Sequence, residues 1–161
     1  MNQNAAETIR EELKARGINN RRVSVKNDGG SLSIKIKDLS ICADMVKDIA
    51  EKFERVRYCE ASGEILSGGN FFVFVTYDYK AESAAEATPE YQELLAEIAP
   101  KIATLTDRAG VSLPSGVVAF LGPNKVSLQA TVPWSGNVWS FFNDARDLTL
   151  EIYKARLQKK A

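Results

Sequence analysis

The chain has 161 residues, 45% of them apolar, with 21 basic and 21 acidic side chains and no histidine. That apolar share can fill a packed core, which excludes a disordered chain, and the length allows one domain or two small ones. The charges stay even along the chain, with 13 basic against 12 acidic through Lys80 and 8 against 9 beyond it. This balance argues against a duplex-DNA binder and against an acidic DNA mimic, and the missing histidine removes His-based triads, Cys-His dyads and the commonest metal ligand.

Met1-Asn2-Gln3-Asn4 has neither a basic n-region nor an apolar h-region. No segment approaches the ~18 apolar residues of a membrane helix, so the cytoplasm is the expected compartment and no membrane partner is expected. Asn4 is placed to cap a first helix with Ala5, Ala6, Ile9 and Leu13 on one stripe, and Gly17 to stop it. Arg22 to Lys26 and Leu32 to Lys37 alternate around Asn27-Asp28-Gly29-Gly30, the signature of a hairpin. Its apolar face is Val23, Val25, Leu32, Ile34 and Ile36. A second helix opens at Asp38 or Ser40 and carries Ile41, Met45, Ile49 and Phe53 at four-residue steps.

Val56 to Glu60 reads as a third strand. The loop Ala61 to Asn70, with Gly63, Gly68 and Gly69, then leads into Phe71 to Tyr79, a strand apolar on both faces. Such a strand is either central and covered on both sides or carries an aromatic binding face. Lys80 to Ala87 is a small-residue stretch, read as a linker or frayed helix and as the boundary between modules. Thr88-Pro89 caps a helix bearing Tyr91, Leu94, Leu95, Ile98, Ile102 and Leu105, kinked at Pro100 and ended at Gly110. Val117 to Leu121 and Lys125 to Val132 form another hairpin about Gly122-Pro123-Asn124. The last helix begins near Ser135 or Asn137 and carries Val138, Phe141, Phe142, Ala145, Leu148, Ile152 and Leu157.

Together these predict an α+β fold of antiparallel β-hairpins covered by helices, in the order α-β-β-α-β-β-α-β-β-α. Residues 1–80 make an αββαββ module and residues 88–161 an αββα module, with either separate cores or one shared core.

Few residues carry chemistry. Cys42 and Cys59, set in a predicted helix and a predicted strand, lack the spacing and the histidine of a zinc site and read as buried reduced thiols, so neither metal nor cofactor is expected. Ser67-Gly68-Gly69-Asn70 offers amides for an anion nest, but the strand that follows favours a hairpin turn. Glu60, Glu64 and Asp78 have no fixed spacing and read as surface acids, so no catalytic residue is expected. Arg22, Lys26, Lys35 and Lys37 share the outer face of the first hairpin and can extend onto Arg55 and Arg57, with Tyr58, Phe72 and Phe74 nearby. This is either a solvated face or a track for single-stranded nucleic acid. Trp134 and Trp139 bracket Ser135-Gly136-Asn137, as a staple at a helix start or as anchors for a protein partner.

The run Ala6 to Lys14, the strand Arg22 to Lys26, the stretch Val46 to Phe53 and the loop Gly63 to Asn70 together resemble the large polyvalent protein-associated domains of phages and conjugative elements. The resemblance spans Ala6 to Tyr79 and rests on the pattern of helix, hairpin and loop. The family brings no catalytic residues. It implies a mobile-element setting in a bacterial host, where small proteins modulate host machinery. The expectation is a non-enzymatic accessory protein that binds a host or element-encoded protein, with inhibition of a bacterial defence system as one such role. The alternative is a nucleic-acid-binding module that uses the basic hairpin face.

Overall fold

The computed structural model describes residues 3–106, 109–124, 127–135 and 139–161. Residues 1–81 and 82–161 form two compact units, each with its own hydrophobic cluster. The class is α+β, as the alternation of helical and strand patterns requires.

In the first unit, α1 (Gln3–Ala15) ends where Gly17 takes a positive φ of 76°. There the amide of Gly17 donates to Lys14 at 2.9 Å and that of Ile18 to Leu13 at 2.9 Å, a Schellman stop sealed by the buried pair Leu13 and Ile18. β1 (Val23–Asn27) and β2 (Ser31–Ile36) form the expected hairpin, with Val25 opposite Ile34. α2 (Ala43–Ala50) and a 3-10 turn at Glu51–Phe53 follow, and β3 (Phe72–Tyr77) then joins β2 in parallel. β2 is therefore the central strand of three. Ile9, Leu13, Val23, Leu32, Ile34, Ile36, Val46 and Ile49 fill the core beneath one face of this sheet, with Phe53, Val73, Val75 and Tyr77 packed against it.

α3 (Tyr79–Glu86) runs through the division at residues 81 and 82; in the second unit the hydroxyl of Thr88 caps α4 (Pro89–Ala103) by accepting from the amide of Tyr91 at 3.3 Å. Four antiparallel strands follow in order: β4 (Val111–Ser112), β5 (Val118–Leu121), β6 (Leu128–Thr131) and β7 (Ser140–Phe142). α5 (Ala145–Lys160) closes the chain, capped by Asp144 through the amides of Arg146 and Asp147. Leu94 and Ile98 of α4 and Leu148 and Ile152 of α5 cover one face of the sheet, against Val117, Ala119, Leu128, Ala130 and Val132. The ammonium of Lys154, 11% exposed in its side chain, lies 3.3 Å from both Glu82 and Glu151 and ties α3 to α5.

Several elements depart from the expected order. Val56 to Glu60 is no strand; residues 54–71 form a looped excursion held by isolated bridges at Arg55–Phe71 and Tyr58–Ile65. Of the two readings of Lys80 to Ala87, linker or frayed helix, the structure has helix through Glu86, because alanine and glutamate are good helix formers and Ala85 is buried. α1 starts at Gln3, and the cap expected from Asn4 rests on a side chain outside those described. α2 starts five residues after Asp38, because the Asp38 carboxylate is engaged with Ser40 and Arg22. α4 carries Pro100 in its last turn and ends at Ala103. Gly110 sits instead under Phe120, where a Cβ would collide with the ring. The last helix opens at Ala145, since Phe141 and Phe142 belong to β7; Lys125, Asn137 and Val138 lie outside the described residues.

Two outcomes follow for stability. Ile34 is fully buried, whereas Phe53 packs from the rim, so Ile34→Ala should cost about 2–5 kcal/mol in urea unfolding and Phe53→Ala less. Equal losses would contradict the rim position.

Burial pushes the Asp38 carboxyl up, but the bonds from Ser40 and Arg22 outweigh it and hold the group below the usual carboxylate range. A depressed folded-state pKa stabilises above the unfolded value of about 3.9 and is lost as pH falls through the folded value. Melting temperatures measured from neutral pH into acid should therefore fall less steeply for Asp38→Asn than for wild type. The slope does not vanish, because Asp28 is also depressed, by its bonds with Lys26 and Ser33.

Candidate functional site

Among the described residues, each unit has one sheet face with no helix packed on it, and both faces carry aromatic rings. In the first unit strand alternation sets the division. Val73, Val75 and Tyr77 register with Leu32, Ile34 and Ile36 on the core side, so Phe72, Phe74 and Thr76 share the open side with Ser31, Ser33 and Lys35. Ser24 and Lys26 of β1 continue it. Phe74 is 54% exposed, and its ring lies 6.2 Å from that of Phe72 at 22°. β3 is thus an edge strand and not a central one covered on both sides.

The six basic residues expected on this surface divide by position. Lys26 and Lys35 are exposed on the open face, Lys26 in the row of Ser33 and Phe74 and Lys35 beside Thr76. Lys26 is paired with Asp28 at 2.6 Å. Lys37 is exposed just past the end of β2. Arg22 donates to Asp38 at 2.8 Å and serves the turn before α2. Arg55 bridges to Phe71, which is buried. Directly opposed residues share a side, so Arg55 is in register with the core-side Phe71 and not with the row of Lys26 and Phe74, although Arg55 itself is exposed. Arg57 is exposed in the excursion, where its amide donates to Asn70 at 2.9 Å. The track is therefore two lysines beside two phenylalanines rather than a continuous basic stripe.

In the second unit Phe120, Gln129 and Phe141 form one row across β5, β6 and β7, pointing away from the helices. Trp139 meets Phe120 edge-on, with ring centroids 5.5 Å apart at 79°. Phe141 is 61% exposed and Trp139 43%. With Ser112, Val118 and Thr131 in the neighbouring row, this face has no charged residue among those described. Trp134 is not part of it: the indole packs against the core and donates to Glu151 at 3.4 Å. The two tryptophans therefore do not staple a helix start. Phe120 and Phe141 escaped sequence reading because one looked like a hairpin residue and the other like a helix residue.

The remaining candidates separate. Gly68 and Gly69 both take positive φ, 85° and 71°, as a turn that returns the excursion to β3. Glu60 and Glu64 are exposed on that excursion, and Asp78 accepts from the amide of Lys80 at 2.8 Å, at the start of α3. No group of three or more His, Cys, Asp or Glu gathers for a metal among the described residues. Nor does any helix there reach the length and apolarity needed to cross a membrane. The cysteines are not buried: Cys42 is exposed ahead of α2 and Cys59 is half-buried in the excursion. Comparison of the chain with family models, with curated proteins and with solved structures gives no match.

The Ser62 side chain, followed by the backbone amides of Ser62 and Ala61, lowers the Cys59 thiol below its ordinary range. Such a thiol holds more thiolate at neutral pH. In a Cys42→Ser background, Ser62→Ala should slow iodoacetamide alkylation of Cys59 near pH 7 and leave the rate in strong alkali unchanged. Equal rates near neutrality would refute the assignment.

Proposed function

We propose that the chain is a non-catalytic binding protein that grips a protein partner through the open sheet face of its second unit. The observation that carries this reading is the cluster of Phe120, Trp139 and Phe141 on a face without charge among the described residues. Aromatic rings held on strands lose little side-chain entropy on contact, and large exposed aromatic surfaces are the usual anchors of protein interfaces. Neutral groups at Gln129 and Thr131 favour an equally uncharged partner patch. A composition without histidine supports the non-catalytic assignment. The resemblance of residues 6–79 supplies the setting we propose: a phage or conjugative-element protein acting in the cytoplasm of its bacterial host on a host or element-encoded protein, with inhibition of a defence system as the role to test.

A partner recovered from nuclease-treated bacterial lysate should be lost with Trp139→Ala or Phe141→Ala, each weakening binding by about 2 kcal/mol, while the triple change of Lys26, Lys35 and Lys37 to Glu leaves it intact. Trp134→Ala should instead lower thermal stability. Capture that persists in the Trp139 and Phe141 variants, measured by calorimetry on the purified pair, would overturn this reading.

A further inference from the structure

We propose that the open face of the first sheet binds single-stranded nucleic acid, with Phe72 and Phe74 as base-stacking platforms and Lys26 and Lys35 as phosphate contacts. This site is distinct from the aromatic face of the second unit and does not depend on it.

Position is the first argument. Phe72 and Phe74 alternate outward on β3 while Val73 and Val75 join the core, so both rings lie on the open side, Phe74 exposed and Phe72 half-buried beside it. Their edge strand is not left open to pairing: Arg55 bridges to Phe71, and the Glu54 carboxylate accepts from the amide of Val73 at 3.3 Å. The backbone edge is thereby blunted while the ring face stays bare. A ring separation of 6.2 Å exceeds the ~3.4 Å rise per nucleotide of a duplex strand. Each ring therefore suits its own base of an extended strand.

Charge supplies the second argument and selects the occupant. Lys35 lies in β2 beside Thr76, and Lys26 lies in the row of Phe74, one strand further out. Both are exposed, and they flank the rings on the side away from the Arg55 bridge. Two acids lie nearby: Glu54, whose carboxylate is engaged by the amide of Val73 at the outer edge of β3, and Asp28 in the hairpin turn, held by Lys26 and Ser33, which a phosphate would replace as the partner of Lys26. Two cations are too few to hold a duplex by its backbone, and duplex bases present no face to stack upon. The even charge of the chain, which counts against duplex binding, is compatible with a contact dominated by stacking.

Fluorescence anisotropy of the full chain with a short labelled oligothymidylate, the matching oligouridylate and a duplex of equal length tests this. Either single strand should bind at least ~10-fold more tightly than the duplex. The log–log salt slope should be near −1.4, from about 0.7 per phosphate for two lysines. Phe74→Ala and Phe72→Ala should each weaken binding about 5- to 150-fold, as loss of one stacked base implies, while Phe74→Tyr restores it. Lys26→Glu with Lys35→Glu should weaken binding and flatten the salt slope. Phe74→Leu, which keeps an apolar side chain, separates loss of the ring from loss of fold, and thermal melts of each variant should match wild type. Equal affinity for duplex, absence of binding to either single strand, or wild-type affinity in both Phe74→Ala and Phe74→Leu would overturn the proposal. So would a protein that occupies this face and is lost with Phe72→Ala.

Discussion

The parallel pairing of β3 with β2 is the contact on which the first unit's surface depends. The side-chain period of a strand is two, so a slip of one residue would send Phe72 and Phe74 into the core and expose Val73 and Val75. The observed register, Leu32 with Val73 and Ile34 with Val75, is the one that adds β-branched residues to a core already built from valine, leucine and isoleucine. Two devices hold it. The Tyr77 hydroxyl donates to the carbonyl of Ile41 at 3.0 Å, fixing the end of β3 against the segment before α2. At the other end, Arg55 and Phe71 exchange backbone bonds at 2.9 and 2.7 Å. The aromatic face is thus a by-product of satisfying the aliphatic one.

The same logic governs the second sheet with different means. Its strands are short and wholly antiparallel, and small residues such as Ala119 and Ala130 occupy the covered face. Two helices can then lie close, with Tyr91 reaching across to donate to the carbonyl of Arg146 at 3.2 Å. Bulk that the covered face does not take appears on the other side as Phe120 and Phe141. Gly110 completes this arrangement, since a side chain there would collide with the Phe120 ring. An edge-on contact with Trp139 then holds that ring in place, a geometry that favours aromatic pairs beyond their buried area.

Charge works locally here rather than as a field. Lys26 is paired with Asp28, Arg22 with Asp38, Lys101 with Glu97 and Lys154 with Glu82 and Glu151. Exposed pairs of this kind contribute at most about 1 kcal/mol, so most of them solubilise rather than stabilise. Lys154 differs because it is nearly buried, and leaving it without its two carboxylates would strand a charge among apolar side chains.

The sequence by itself determined the pieces whose cause is local. Period-two alternation around Asn27-Asp28-Gly29-Gly30 set the first hairpin, glycine after Lys14 set the stop of α1, and Thr88-Pro89 set the start of α4. The α+β class followed from these signals, and so did the position of Lys26 and Lys35 on a polar face. Tertiary structure alone decided the partners. Nothing local states that Phe72–Tyr77 pairs in parallel with β2 at an edge, because the residues it joins lie some forty positions earlier and the pairing is chosen by core volume. Arg55 was lost to the basic face for the same reason, through a bridge sixteen residues away. Phe141 and Phe142 read as the start of a helix because their spacing fits both periods, and only the edge of β6, offering unpaired backbone groups, drew them into a strand. Trp134 and Trp139, five residues apart, were separated by the core, which took the first and left the second outside.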